Sequence, residues 1–261
     1  MDRNLQTERP LLTGKGLFFI GLLLFTVLAF TSLELPAQST PSSGATVILK
    51  IEPCFGPSPL VLDSGRYTTE QGDRLSIELF KFYLSQIRLK NHQGLLYAEQ
   101  NSYHLVDAED SSSQIIILKS VPSGVYDELD CSIGVDSLAN VSGAMSGDLD
   151  PIKGMYWIWN SGYIAAKLQG HSAVCKSPHN EFIFHIGGYR SPYASLQRLK
   201  LKFKPVNVQT NSAATLILMA DVSEWFKGPQ PIDLPKINNV VLPGAMSLAI
   251  ANQYRHMLSV K

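Results

Sequence analysis

The sequence contains little charge, no excess of either sign and only three cysteines. Of its 261 residues 17% are charged, and 22 Lys and Arg balance 22 Asp and Glu, so the formal net charge is zero. A balanced chain without a basic run lacks the electrostatic footprint of a nucleic-acid-binding protein. Three cysteines exclude the multi-bridge framework of a small disulfide-stapled protein. With 45% hydrophobic residues the chain can bury a core, which excludes a wholly disordered protein.

The common signatures of nucleotide-binding and hydrolytic enzymes are missing as well. The sequence has no Walker A loop, no Gly-x-Ser-x-Gly elbow, no His-Glu-x-x-His motif and no dinucleotide-binding fingerprint. It also has no Cys-x-x-Cys spacing, which argues against a thiolate zinc site or a thioredoxin-type centre. Because no nucleophile and base are recognisable, we predict that the protein is not an enzyme.

The N-terminus has the pattern of an export signal or a membrane anchor. Basic residues occur in the polar stretch 1–15, and residues 17–33 are uncharged and apolar. Leu35-Pro-Ala37 follows and ends in a small residue, as a signal-peptide cleavage site does. This order predicts that residues 1–37 are a signal peptide cleaved after Ala37 or an uncleaved anchor in the inner membrane. The remainder is then periplasmic or extracellular and touches a membrane only through this segment.

The exported part holds all three cysteines, Cys54, Cys131 and Cys175. In an oxidising compartment two of them can pair and one is left over. The sequence does not say which two.

A polar linker, residues 38–44, precedes one predicted β-rich domain over residues 45–261. Strand-like runs alternate there with turns rich in Gly, Pro, Asn, Asp and Ser. We expect an all-β fold, an antiparallel β-sandwich or a Greek-key barrel, with a short C-terminal helix. The predicted strands are 45–51, 75–90, 102–106, 114–119, 125–135, 163–168, 181–187, 197–205 and 214–219.

Three segments show how the faces of these elements are expected to lie. Residues 199–204 alternate leucine or phenylalanine with lysine, which predicts one buried and one solvated face. Residues 214–219 are apolar throughout, as in a strand buried on both faces. After Pro243 and Gly244 a helical stripe is formed by Met246, Ile250, Tyr254 and Met257.

Two tryptophans separated by one residue stand out in the segment 147–163. In an extended chain Trp157 and Trp159 point to one face, and Tyr156 and Ile158 point to the other. Packing in a core or an interface is one interpretation, since aromatic side chains carry much burial energy. The other is a redox-active or metal-adjacent indole.

The segment 181–189 holds a histidine in a strand pattern. Phe182 and Phe184 share one face, and Ile183 and His185 share the other. His185 is either a core histidine bonded to polar neighbours or a metal ligand, because imidazole binds copper, zinc, iron and nickel.

Two further histidines, His171 and His179, lie in the polar loop around Cys175. Their spacing matches no zinc rule, so solvated loop residues are the alternative to ligands.

A cluster of carboxylates, Asp136, Asp148 and Asp150, offers ligands for Ca²⁺. The spacing is not that of an EF-hand, and Asp is also common in turns and at helix starts.

Several motifs in family order resemble the MbnP-like family of periplasmic copper-binding proteins associated with methanobactin. The Met-Tyr-Trp-x-Trp-x-x-Gly-Tyr block over residues 155–163 is the most specific, and the likeness is greatest to the Bacteroidetes-type branch. The other matching segments are residues 79–89, 133–137, 149–151, 184–188 and 221–229.

The resemblance implies a copper-binding protein that serves copper acquisition or storage. In this family copper is held by histidines and by a kynurenine, which a diheme cytochrome c peroxidase-like partner forms by oxidising a tryptophan. Carried over by position, His185 is the best ligand, and Trp157 and Trp159 are the candidates for oxidation. Other branches carry a histidine near the place of Asn140, so His171 or His179 would have to supply a second imidazole here.

The alternative function is a non-catalytic extracytoplasmic interaction module that holds no metal. Its binding face would be the Trp157 and Trp159 side of the domain, because aromatic side chains are frequent hot spots in interfaces. The variant His185→Ala distinguishes the two functions. Loss of metal with the fold retained indicates a ligand, whereas loss of the fold indicates a core histidine.

Overall fold

The computed structural model describes residues 44–94 and 96–261, which form two β-sheets, two short α-helices and several 3₁₀ turns. The predicted leader or anchor, residues 1–37, and nearly all of the linker 38–44 lie outside the described residues. The strands cover the nine predicted runs, so the expectation of an all-β sandwich with a short C-terminal helix is confirmed.

The smaller sheet has five strands around a central first strand. Its order is β15-β13-β1-β2, and β7 pairs with β1 as well. β1 and β13 are parallel, whereas the other pairs are antiparallel. Its strands are β1 (Ala45–Phe55), β2 (Ser58–Pro59), β7 (Ile115–Val121), β13 (Ala213–Asp221) and β15 (Leu258–Val260).

The larger sheet has ten strands, with β12-β8-β4-β10-β11-β14 as its main path. All of its pairs are antiparallel except β11 with β14. Its strands are β3 (Tyr67–Thr68), β4 (Arg74–Lys90), β5 (Leu96–Ala98), β6 (Tyr103–Asp107), β8 (Gly124–Ile133), β9 (Tyr156–Trp157), β10 (Gly162–His171), β11 (Glu181–Gly187), β12 (Gln197–Val208) and β14 (Asn239–Val240).

The 17-residue strand β4 bends where Gln86 adopts a positive φ of 56° and the register to β8 shifts. β4 pairs with β10 as far as Phe82 and with β8 from Leu84 onward, on both sides of the bend. The bulge produces the bend that the length of the strand suggests.

Strand β13 differs from the prediction. Leu216 and Leu218 are buried, but Thr215 is exposed and Ile217 is half-buried. The strand therefore fully buries one face only, because the side chains on its other face are exposed or half-buried among the described residues.

The main core contains apolar side chains from both sheets, and a second, smaller cluster lies on the opposite face of the larger sheet. Phe82 belongs to the main core and its neighbour Tyr83 to the second cluster, which places the two clusters on opposite faces of β4. The chain between β8 and β10, residues 134–161, covers this outer face with Leu149, Met155 and Trp157. The second cluster is where the candidate site lies.

The C-terminal helix α2 (Ala245–Tyr254) begins after Gly244 and buries Ile250 and Tyr254, as its stripe predicts. Met246 in its first turn is 43% exposed and so does not face the core, whereas the next residue, Ser247, is buried. The sequence did not predict α1 (Ser137–Val141), which Asp136 caps. Among the described residues, no helix is long and apolar enough to cross a membrane.

All three cysteines are free and buried, so the pair that an oxidising compartment permits is not formed here.

Candidate metal centre

The candidate centre lies on the outer face of the larger sheet, where β10 and β11 run side by side. Phe182 and Phe184 of β11 are fully buried in the main core. His185 follows Phe184 and therefore points to the outer face, as the sequence predicts. Its cross-strand neighbour on β10 is Lys167.

His185 is held as a neutral imidazole. Burial, followed by the charge of Lys167, lowers its pKa from 6.5 to about 4. Its Nε2 lies 2.6 Å from Nε2 of Gln169, an amide N–H that donates to an unprotonated ring nitrogen. A neutral imidazole is the form that binds metals, so at neutral pH no proton has to leave, and Nε2 of His185 has only to exchange its hydrogen bond with Gln169 for a metal.

Trp157 reaches the face of β11 that carries this histidine. Gly187 follows His185 by two residues on the same face of β11, and a Cβ there would come within 2.6 Å of Cζ3 of Trp157. Such positions are about 6.6 Å apart along a strand, so the indole packs one outward-facing position away from His185. The missing side chain at Gly187 admits the ring, which is only 6% exposed.

Trp159 contacts the same indole from the solvent side. The ring centroids of Trp157 and Trp159 are 5.4 Å apart with planes tilted by 43°. Trp159 is 62% exposed and Ile158 is 84% exposed. The shared face that the sequence predicts thus becomes a pair of one buried and one exposed indole.

The other two predicted histidines lie at the far end of the strand pair. His171 pairs with Glu181, four residues before His185, a distance of about 13 Å along the strand. Its Nε2 is 2.6 Å from Oε1 of Glu78, and its Nδ1 is 3.0 Å from the carbonyl of His179. His171 and His179 are therefore neighbours of each other, and the structure does not bring them to His185.

Asn140, near the place where other branches carry a histidine, has a structural role. It is buried, and its amide N–H groups donate to the carbonyls of Val135 and Asp136. Its Oδ1 accepts from the backbone N–H of Tyr163 at 2.7 Å. These bonds fasten α1 to the start of β10 and leave no free donor atom for a metal.

The three carboxylates considered for Ca²⁺ cap local structure. Asp136 accepts from two backbone N–H groups of α1, and Asp150 accepts from the N–H of Ile152. Asp148 accepts from the N–H of Leu105 and from Lys153. Their positions agree with turn and helix-start roles.

The encoded side chains around His185 do not by themselves complete a copper site. In the described part of the chain no three His, Cys, Asp or Glu side chains are grouped closely enough to hold a metal ion. His185 supplies one good nitrogen donor, and Lys167 adds an unfavourable positive charge beside it. A kynurenine in place of Trp157 would add an amine and a carbonyl at the neighbouring position, which fits the preference of copper for nitrogen donors.

Comparison with known proteins identifies the class to which this sandwich belongs. The family model named MbnP matches residues 44–246, which is most of the chain. Among solved structures, MbnP from Methylosinus trichosporium is similar with a TM-score of 0.50 and 14% identity, over 71% of this chain and 78% of that chain. At this identity the likeness concerns the fold alone. The comparison with curated proteins gives no match.

The chain belongs to the MbnP family, which is associated with methanobactin and copper. The recognition made from the Met-Tyr-Trp-x-Trp block is thus confirmed, whereas the assignment to the Bacteroidetes-type branch stays a prediction.

Proposed function

We propose that this chain is an extracytoplasmic copper-binding protein, serving copper acquisition or storage, whose site combines His185 with a kynurenine made from Trp157. The observation that supports this most is the neighbourhood of a neutral imidazole and a buried indole on one face of β11. Copper leads the divalent first-row metals in affinity for nitrogen donors, so such a site outside the cell favours it. The protein binds copper and does not turn over a substrate.

Burial favours Trp157 over Trp159 as the residue that becomes the ligand. Trp157 packs against Gly187, one outward-facing position away from His185, while Trp159 is exposed and touches only the outer side of the pair. The conversion opens the Cγ–Cδ1 bond of the indole and adds two oxygen atoms to give N-formylkynurenine, and hydrolysis then releases formate. Two molecules of hydrogen peroxide reduced to water balance the oxidation.

The oxidant is a diheme cytochrome c peroxidase-like partner that uses this peroxide. The segment between β8 and β10 offers it an apolar contact surface around Trp159. Its exposed apolar side chains are Leu138, Val141, Met145, Ile152, Ile158 and Trp159. Exposed apolar side chains concentrated in one segment are typical of an interaction site.

The test is the copper content of protein purified from its own source, with mass mapping of residues 147–170 on the same sample. We expect stoichiometric copper together with kynurenine or N-formylkynurenine at residue 157. Trp157→Phe should abolish the modification and the bound copper, while Trp159→Phe should retain the kynurenine at residue 157.

His185→Ala tests the protein ligand, and His171→Ala is the matched control on the same strand pair. We expect loss of copper with an unchanged circular dichroism spectrum for the first variant and full copper for the second. Zinc or calcium in place of copper, with both indoles intact, contradicts the proposal.

A second function is supported by the exposure of Trp159 and Ile158. If native protein holds no metal and two intact indoles, the fold serves as an interaction module whose aromatic face binds a partner. Trp159→Ala would then abolish partner binding, and His185→Ala would leave it unchanged.

A further inference from the structure

A second possible site lies on another part of the larger sheet. β4, β8, β12, the turn after α2 and the start of β15 border a cavity of about 860 Å³ that is open to solvent. This volume falls in the range of about 300–1,000 Å³ that is usual for sites that hold small molecules. In the strand order β4 separates β8 and β12 from β10 and β11, so this cavity is distinct from the candidate metal centre.

Positively charged side chains dominate its walls. The charged and titratable residues that line it are Arg88, Asp130, Arg198, Lys200, Arg255 and His256. Four fixed positive charges thus face one carboxylate in a protein whose formal net charge is zero. This excess of positive charge is therefore local to the cavity and does not reflect the composition of the chain.

The single carboxylate does not neutralise these groups. Asp130 is the cross-strand neighbour of Arg88 on β4 and of Lys200 on β12. Its Oδ2 pairs with Lys90, however, and its buried Oδ1 has no hydrogen-bond partner. The positive charges of Arg88 and Lys200 are therefore not used on Asp130.

The cavity arginines are not engaged elsewhere either. Within the described residues, the side chains of Arg88, Arg198 and Arg255 make no ion pair and no hydrogen bond. A guanidinium group presents a planar fork of donors that matches carboxylate and phosphate oxygens in a bidentate manner. Three such residues with exposed side chains line one cavity, which suits an anion with more than one acidic group.

We propose that this cavity binds a small organic anion through its carboxylate or phosphate groups, held by Arg88, Arg198 and Arg255. Lys200 adds positive charge at the β12 side. The site works independently of copper at His185, because no residue is shared between the two.

Isothermal titration calorimetry of the unmodified protein with citrate and with inorganic phosphate, at constant ionic strength, tests the proposal. We expect saturable binding of citrate at one site, with phosphate weaker because it spans fewer arginines. The double variant Arg198→Gln/Arg255→Gln should raise the Kd for citrate by about tenfold or more. The loss of even one hydrogen bond to a charged group raises Kd by about that factor. Lys202→Gln is the matched control, because Lys202 is exposed on β12 and does not line the cavity.

The variant Asp130→Asn gives an expected result that misfolding cannot produce. It removes the like charge from the cavity and should tighten citrate binding, and a misfolded protein cannot show such a gain. Absence of citrate binding to the wild type, or equal weakening by Lys202→Gln and the double arginine variant, overturns the proposal. Binding to phosphatidylglycerol vesicles without binding to citrate or phosphate also overturns it, in favour of a lipid surface.

Discussion

His185 and His171 stand on the same strand pair, yet their surroundings act on the two imidazoles in opposite directions. Burial and Lys167 lower the pKa of His185 to about 4. Burial also acts to lower the pKa of His171, but the hydrogen bonds to the His179 carbonyl and to Glu78 outweigh it and raise the pKa. His185 is thus uncharged at neutral pH and bonded to the neutral amide of Gln169, whereas His171 is engaged by a carboxylate.

This contrast predicts opposite pH dependences of stability. Between pH 6.5 and about 4 the unfolded chain protonates at residue 185 and the folded chain does not, so stability falls as pH falls through this window. We expect His185→Gln to flatten thermal unfolding midpoints measured from pH 7 to pH 4.

His171→Gln is the control for that measurement. The raised pKa of His171 stabilises the fold at low pH and loses this effect as pH rises, so its removal should steepen the loss of stability on acidification. Identical pH profiles for the wild type and His185→Gln would contradict the assignment of a neutral His185.

At the residue scale the sequence could place His185 on the face opposite Phe184, because alternation in a strand is a local property. The sequence could not tell that Trp157 is buried and Trp159 exposed, since residues two apart in a strand point to the same face. Their different burial depends on Gly187 of another strand, and the distance of His171 from His185 depends on the register of β10 with β11.

At the element scale β11 and β9 meet at a point where only glycine fits. A Cβ at Gly187 would lie 2.6 Å from Cζ3 of Trp157 and 2.9 Å from the carbonyl oxygen of Tyr163. One of these contacts is to backbone, so the strain cannot be relieved by a rotamer change alone. Gly187 therefore determines how closely the indole approaches the candidate ligand.

We predict that Gly187→Ala displaces Trp157 and destabilises the protein by about 1–3 kcal/mol, as expected for overpacking. The tryptophan fluorescence maximum should shift to the red because the indole becomes more exposed. Gly244→Ala is the control, because no atom lies within 4 Å of a Cβ at that position. Urea unfolding of both variants checks the expectation, and equal stability would show that the approach is not tight.

The long elements could be predicted from sequence because each has its own periodicity, as the alternation of leucine and lysine in β12 illustrates. The two-residue strands β2, β3, β9 and β14 have no such pattern, since their neighbours in the fold define them. The prediction that β13 is buried on both faces is wrong, because an apolar run does not show whether one layer or two layers pack against a strand.

At the scale of the whole molecule the three thiols are internal. Burial raises the pKa of Cys54 and of Cys175 to about 11 and that of Cys131 to about 12, with nearby carboxylates acting in the same direction. Thiols held in this way are poor nucleophiles and poor partners for exchange.

We therefore expect no reaction of the native protein with Ellman's reagent over minutes, and three equivalents of thiol after unfolding in guanidinium chloride. A cysteine-to-serine variant at each position assigns any residual reactivity. One thiol equivalent after unfolding without reductant would mean that a disulfide forms after all.

The parallel pairing of β1 with β13 gives the chain a particular order of assembly. The backbone N–H of Gly56 bonds to a carboxylate oxygen of Asp221, a partner 165 residues later in the sequence. One edge of β1 thus stays unpaired until β13, in the last quarter of the chain, has been synthesised. Contacts between residues so distant in sequence make folding slow. A polypeptide that completes its sandwich late stays unfolded for longer, which would suit the passage through a translocation channel that the predicted leader implies.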